Sequence, residues 1–296
     1  MNATPLPDRD VSPHKATKIV QTPHAARLFS AQGHKRIALL ILAAVLGLLL
    51  SACGAAEPQA PAAPSPTSQE SSAGGTITVL AAASLTEAFN QIGKDFEAKN
   101  PGSKVTFSFG SSATLATQIV QGAPADVFAA ASPATVKIVT EAGAANAPKD
   151  FASNTLEIAV PKGNPHKITG LQDFGDASKR IALCAPQVPC GAAAVKVFAD
   201  AKIVPKPDTL EADVKATLQK VASDEVDAAL VYKTDVIAAG DKVDGIQFPE
   251  AQQAVNTYPI ATLKESKNPA LAQAFVDYVL SAEGQAVLAK AGFAQP

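Results

Sequence analysis

Thr76-Ile77-Thr78-Val79-Leu80-Ala81 is a run rich in β-formers, and Ser84-Leu85-Thr86-Glu87 follows almost at once. The first stretch reads as a strand. The second has the pattern of a capping box, with a hydroxyl at the helix cap and a carboxylate three residues on. Leu85, Ala88, Phe89, Ile92 and Phe96 then keep helical spacing. A strand that feeds a helix through a short polar turn is the repeating unit of an α/β fold.

The same unit recurs downstream. Strands are predicted at Lys104–Phe109, Asp126–Ala130, Leu156–Pro161, Arg180–Cys184, Asp227–Tyr232 and Tyr258–Leu263. Helices are predicted at Thr114–Gln121, Pro133–Ala142, Ala192–Ala201 and Val214–Ala222, with a short one ending at Ala239. Two more close the chain, near Pro269–Leu280 and Ala282–Ala291. This alternation predicts mainly parallel sheets flanked by helices, and about 220 residues of it suggest two lobes.

Upstream of Thr76 the character changes. Ile37–Leu50 is 14 residues without a charge, preceded by Lys35 and Arg36. That is short of the roughly 20 apolar residues of a membrane span, and it reads as the core of a signal peptide. Leu50-Ser51-Ala52-Cys53 resembles a bacterial lipobox, so residues 1–52 are expected to be removed and Cys53 lipidated. Residues 53–75 are rich in Pro, Ala, Ser and Gly and read as a tether. Largely extended, about 20 such residues reach on the order of 60 Å. The expected place of the folded part is therefore the cell envelope, outside the cytoplasm and tied to the membrane by lipid.

Composition narrows the chemistry. Of 296 residues 47% are hydrophobic and 18% charged, a folding composition. The formal net charge is −2. Residues 1–52 hold six basic and two acidic residues, so the remainder has nineteen basic against twenty-five acidic residues, a net of −6. An acidic protein is a poor nucleic-acid binder. Beyond residue 36 the only histidine is His166, which leaves a His/Cys zinc site short of ligands. There is no G-x-S-x-G elbow, no phosphate-binding P-loop and no dinucleotide fingerprint. No catalytic residue and no cofactor is expected.

What stands out is a set of small polar residues where strands give way to helices. Ser84 follows the first strand, and Ser111 and Ser112 follow the second. Pro189-Cys190-Gly191 precedes a further helix, and Asp213-Val214 starts another. Helix N-termini carry free N–H groups and about half a positive charge, so several of them converging would hold an anion without Lys or Arg. Each is also an ordinary helix cap.

The run Val79–Ala88 (VLAAASLTEA) resembles the start of the periplasmic molybdate-binding proteins of ABC importers, which are type II solute-binding proteins. The resemblance continues in order through Phe109–Ala116, Gly122–Phe128, Val188–Gly191, Asp213-Val214, Leu230–Tyr232, Gly284–Leu288 and Gly292-Phe293. It implies two lobes closing on one tetrahedral oxyanion, with residues 76–154 and 255–296 in one lobe and 155–254 in the other. It assigns the serine donors to Ser84 and Ser112, backbone N–H donors to Cys190 and Val214, and a tyrosine donor to Tyr232. The family usually has Ala where this chain has Cys190, which leaves a backbone role intact. With Cys53 lipidated, Cys184 and Cys190 are the two remaining thiols in an oxidising place, and a disulfide between them is expected.

The resemblance further implies a monomer that delivers molybdate, and tungstate with it, to an ABC permease and its ATPase. Sulfate or another tetrahedral oxyanion, or an enzyme built on the same fold, are the alternatives. Ferric iron fits less well, because iron-binding relatives of this fold tend to use adjacent tyrosines and Tyr232, Tyr258 and Tyr278 are far apart in sequence.

Overall fold

The computed structural model describes residues 74–296. The expected signal peptide, Cys53 and almost the whole tether lie outside the described residues. Among the described residues no helix is long and apolar enough to cross a membrane.

The chain begins with β1 (Gly75–Ala82), a single 3₁₀ turn at Ala83–Leu85, and α1 (Thr86–Lys99). Then come β2 (Ser103–Gly110), α2 (Ser112–Val120), β3 (Val127–Ala129), α3 (Pro133–Glu141) and β4 (Lys149–Asn154). β5 (Leu156–Pro161), β6 (Ile181–Cys184), α4 (Pro189–Ala201), β7 (Thr209–Glu211) and α5 (Val214–Ala222) follow. The last third holds β8 (Ala228–Tyr232), α6 (Lys233–Ala239), β9 (Val243–Ile246), β10 (Asn256–Thr262), α7 (Pro269–Leu280) and α8 (Ala282–Lys290).

These strands form two five-stranded sheets, in the orders β2-β1-β3-β10-β4 and β7-β6-β8-β5-β9. The chain passes from the first sheet to the second between Asn154 and Leu156, and returns between Ile246 and Asn256. Each sheet is mixed, where the strand–helix alternation predicts mainly parallel ones. β1 pairs in parallel with β2 and β3, while β10 runs antiparallel to β3 and β4. β6 pairs in parallel with β7 and β8, while β5 runs antiparallel to β8 and β9. Strands entered through a helix come in parallel, and the strands on either side of the two crossings supply the antiparallel pairs.

The alternation along β1 explains the layers. Ile77, Val79 and Ala81 point to one face, where Phe89, Phe96 and Phe275 of α1 and α7 cover them. Leu80 points to the other face, into a cluster with Leu115, Ile119, Val136 and Val139 of α2 and α3. The second sheet has its own core, including Ile158, Phe174, Val197, Phe198, Val221 and Leu230. Ala83, from the turn after β1, packs into this second core.

Sequence and structure differ in several local respects, and α2 and α4 open at Ser112 and Pro189, ahead of the predicted Thr114 and Ala192. Ser84 does not cap a helix: α1 opens at Thr86, and neither half of the expected capping box forms there. Three strands, β4, β7 and β9, escape the sequence pattern. Each is a sheet-edge strand, with a polar start (Lys149-Asp150), a length of three residues, or Gly245 inside it. Such segments become strands because a neighbour offers hydrogen bonds, not because their composition demands it.

Candidate functional site

Ser84, Ser112, Cys190, Val214 and Tyr232 all line one cleft between the two sheets. Each sits where a strand ends or a helix begins. Ser84 lies in the turn after β1, and Ser112 is the first residue of α2. Cys190 and Val214 lie in the first turns of α4 and α5, and Tyr232 ends β8. The carboxyl ends of parallel strands are where open α/β sheets gather ligand groups, because the strand-to-helix turns leave backbone amides facing out.

The polar groups are set up to donate. Ser112 Oγ is buried and accepts a hydrogen bond from Ala131 N–H at 3.0 Å, so its own proton is free to point into the cleft. Ser84 Oγ pairs with Tyr258 Oη at 2.9 Å. Among the described residues the buried Tyr232 hydroxyl has no hydrogen-bond partner, though the Tyr258 hydroxyl and the Asn256 amide lie close enough to bear on its acidity. Burial above all raises the Tyr232 pKa far above the phenol range, so it stays protonated and able to donate. The Asp213 side chain caps α5 through Lys215 N–H and Ala216 N–H, at 2.9 and 3.0 Å. That leaves the Val214 amide of the same turn uncapped.

Ser111 stands among the polar turn residues of the sequence, though the resemblance assigns the serine donor to Ser112 and not to it. It lines the same cleft, and its buried Oγ has no partner among the described residues. An orphaned buried hydroxyl costs about 1–3 kcal/mol, so two of them facing one space point to a polar ligand that satisfies them. No local sequence signal separates Ser111 from Ser112. Their backbone positions do, since Ser111 sits one residue ahead of the helix.

Cys184 and Cys190 are joined by a disulfide that ties the end of β6 to the first turn of α4. Cys184 Sγ also lies 3.3 Å from Thr217 Oγ1 on α5. The two helix starts that present Cys190 and Val214 are thus anchored to one strand end. Gly191 completes this corner: a Cβ there would fall 1.9 Å from Ala185 O and 2.8 Å from Cys184 O, so a side chain has no room.

Among the described residues no Lys or Arg lines the cleft. A fixed cation, Lys215, stands beside Val214, and it is already engaged. Its Nζ lies 2.8 Å from Glu87 Oε2 and 3.2 Å from Asp235 Oδ1, the latter a charge contact without hydrogen-bond alignment. Burial works to lower the Lys215 pKa, but Asp235 and Glu87 outweigh it and hold the ammonium above its usual value. Burial pushes the Asp235 carboxyl up to about 6, with Lys215 pulling the other way. Among the described residues no cluster of His, Cys, Asp or Glu is arranged to hold a metal ion.

This geometry has relatives. A family model described as "Bacterial extracellular solute-binding protein" matches residues 77–294. The molybdate-binding protein ModA of Mycobacterium tuberculosis is 42% identical over 258 residues, covering 86% of this chain and 97% of its own length. The molybdate-binding protein ModA of Escherichia coli is 33% identical over 236 residues, covering 74% of this chain and 89% of its own. Among solved structures, the periplasmic molybdate-binding protein of Azotobacter vinelandii superposes with a TM-score of 0.62 at 24% identity, over 74% of this chain and 99% of that one. It shares the type II periplasmic-binding-protein fold. A two-sheet α/β chain with its polar turns gathered in the cleft, matched along nearly all its described length, belongs to the bacterial extracellular solute-binding protein family, in the company of the molybdate-binding proteins of ABC importers.

Proposed function

We propose that this protein captures molybdate outside the cytoplasm and delivers it to the permease of an ABC importer driven by its ATPase. The observation that carries the reading is the pair of buried hydroxyls without partners, Tyr232 Oη and Ser111 Oγ, facing one cleft that no described Lys or Arg lines. Molybdate at neutral pH is a dianion with four acceptor oxygens and no proton to give. A site made of neutral donors suits it, and avoids the desolvation cost of burying a formal cation. Each hydrogen bond to the ion contributes roughly 1.5–3 kcal/mol. The binding set is Ser84, Ser112 and Tyr232 through their hydroxyls and Cys190 and Val214 through their amides. Ser111 Oγ is a further donor within reach of the same space.

Tungstate has nearly the same size and charge and is expected to bind as well. Sulfate offers the same acceptors on a smaller frame, so its exclusion rests on cleft size. The lobes proposed to move are residues 76–154 with 255–296 against residues 155–254, hinged at the two crossings. Cys53 is the proposed lipid anchor, and the protein acts as a monomer with no catalytic residue. Isothermal titration calorimetry with molybdate, tungstate, sulfate and phosphate tests the reading. One-to-one molybdate binding with no sulfate response supports it. Sulfate binding in place of molybdate refutes the substrate, and silence with all four anions refutes the site.

A further inference from the structure

The two serines proposed to bind the anion are held from behind by different donors. Behind Ser112 stands the Ala131 amide, which can only donate, so the serine proton is left for the cleft. Behind Ser84 stands another hydroxyl, Tyr258 Oη at 2.9 Å. Two hydroxyls can bond in either direction. In one, Ser84 offers its proton to the cleft; in the other, it offers a lone pair, which a fully deprotonated anion repels.

The surroundings of Tyr258 choose between them. Thr155 N–H donates to Asn154 Oδ1 at 3.0 Å, which fixes the Asn154 amide and turns its NH₂ the other way. Asn154 Nδ2 then donates to Thr234 Oγ1 at 2.8 Å and reaches Tyr258 Oη at 3.5 Å, the long end of hydrogen-bond range. An NH₂ group cannot accept, and Tyr232 Oη makes no hydrogen bond among the described residues, so the Tyr258 oxygen receives from Asn154 and Ser84 Oγ is the acceptor left for its proton. The Tyr258 ring is wholly buried and packed edge-on against Phe151, Tyr232 and Phe293, which pins its hydroxyl in place.

We propose that Tyr258 is a positioning residue for ligand binding: oriented by Asn154, it donates to Ser84 Oγ and so commits the Ser84 proton to the bound anion. The proposal rests on the oxyanion reading above. It adds a specificity determinant outside the binding set. With both serines locked as donors, neither turns a hydroxyl lone pair toward an anion that still carries a proton, such as monohydrogen phosphate.

A double-mutant cycle tests it, with sodium molybdate titrated into wild type, Ser84→Ala, Tyr258→Phe and the double variant. Tyr258→Phe is expected to raise Kd about tenfold, the loss of one well-oriented bond to a charge. The double variant is expected to bind no more weakly than Ser84→Ala alone, because Tyr258 acts through Ser84. Wild-type affinity in Tyr258→Phe, or penalties that simply add, overturns the proposal. If Tyr258→Phe does not fold, Asn154→Asp carries the test. Its carboxylate draws the Tyr258 proton away from Ser84, so it should weaken binding when Ser84 is present and not when it is combined with Ser84→Ala; equal weakening in both backgrounds overturns the proposal. A wild-type protein that binds no molybdate overturns the oxyanion reading and this proposal with it. A wild type that binds, with an additive cycle, overturns this proposal alone.

Discussion

Lys215, on α5 beside the Val214 amide, reaches Glu87 on α1 with Nζ 3.0 and 2.8 Å from the two carboxylate oxygens. Glu87 lies three residues beyond Ser84. The pair therefore joins the segment that follows one proposed ligand donor to the segment that carries another, across the cleft. Lys215 is only a quarter exposed and Glu87 about half, so the pair is weakened by solvent but not abolished. Glu87→Gln is expected to speed ligand release and weaken affinity by about two- to fivefold, in line with a partly exposed pair. Stopped-flow release rates at low and high salt check this. The difference between variant and wild type should shrink at high ionic strength, where screening already weakens the pair. A difference that does not depend on salt argues against the pairing.

The site assignment itself predicts a large effect. Ser112→Ala with Tyr232→Phe removes two hydroxyl donors while leaving both backbones in place. At roughly 1.5–3 kcal/mol for each bond to the ion, affinity should fall about a hundredfold or more. The unliganded double variant should still fold but lose about 1–3 kcal/mol, because Ser112→Ala leaves the buried Ala131 N–H without its acceptor, while Tyr232 Oη has no described partner to lose. Unchanged affinity rejects these residues as ligands.

The disulfide corner makes a stability prediction. The bridge closes a sequence separation of 6, for which the chain-entropy account gives about 2 kcal/mol. Cys184→Ser with Cys190→Ser should lower the denaturation free energy by about that much. The Cys190 amide should also be held less firmly, with a rise in Kd. Intact mass of the non-reduced protein should be two hydrogens below the dithiol value, and a count of two free thiols defeats the assignment. Gly191→Ala tests the same corner by another route. The added methyl meets carbonyl oxygens rather than flexible side chains, so a loss of about 1–3 kcal/mol is expected.

Asp235 gives the pH dependence. Its carboxyl is raised to about 6 in the folded protein, chiefly by burial, so the folded state holds this proton more tightly than the unfolded chain does. Stability from this group is therefore greatest at low pH and declines as pH rises from about 4 to about 6, then levels off. Asp235→Asn mimics the protonated form. The melting temperature of the variant relative to wild type should rise across that window and stay flat above it. A difference that is constant from pH 4 to 8 would show that Asp235 titrates normally.

The reach of the sequence has a physical boundary. Leu156–Pro161, Val214–Ala222 and Pro269–Leu280 are legible from sequence at their observed limits, because hydrophobic period and end signals are local. The serines at the ends of the first two strands are legible too, as small polar residues at junctions. Ser84, however, reads locally as a cap, and only the fold shows its hydroxyl turned to Tyr258, 174 residues away. Nothing near Tyr258 in the chain distinguishes it from any core tyrosine. Its partner is set by β10 returning to pair with β3 and β4 after the excursion through the second sheet.

By itself, then, the sequence determines the strand–helix alternation, the polar turns, the scarcity of histidine and a family resemblance that supplies candidate ligands. The first three follow from propensity, periodicity and composition, and the resemblance from motifs matched in order, all written residue by residue. Only the tertiary structure decides that Ser84, Ser112, Cys190, Val214 and Tyr232 meet in one cleft, that Ser111 is orphaned there, and that Lys215 spans to Glu87. Those are relations between surfaces brought together by two sheets and two crossings. A hydrogen bond reports where two atoms come to rest, and for residues far apart in the chain that depends on the packing of everything between them.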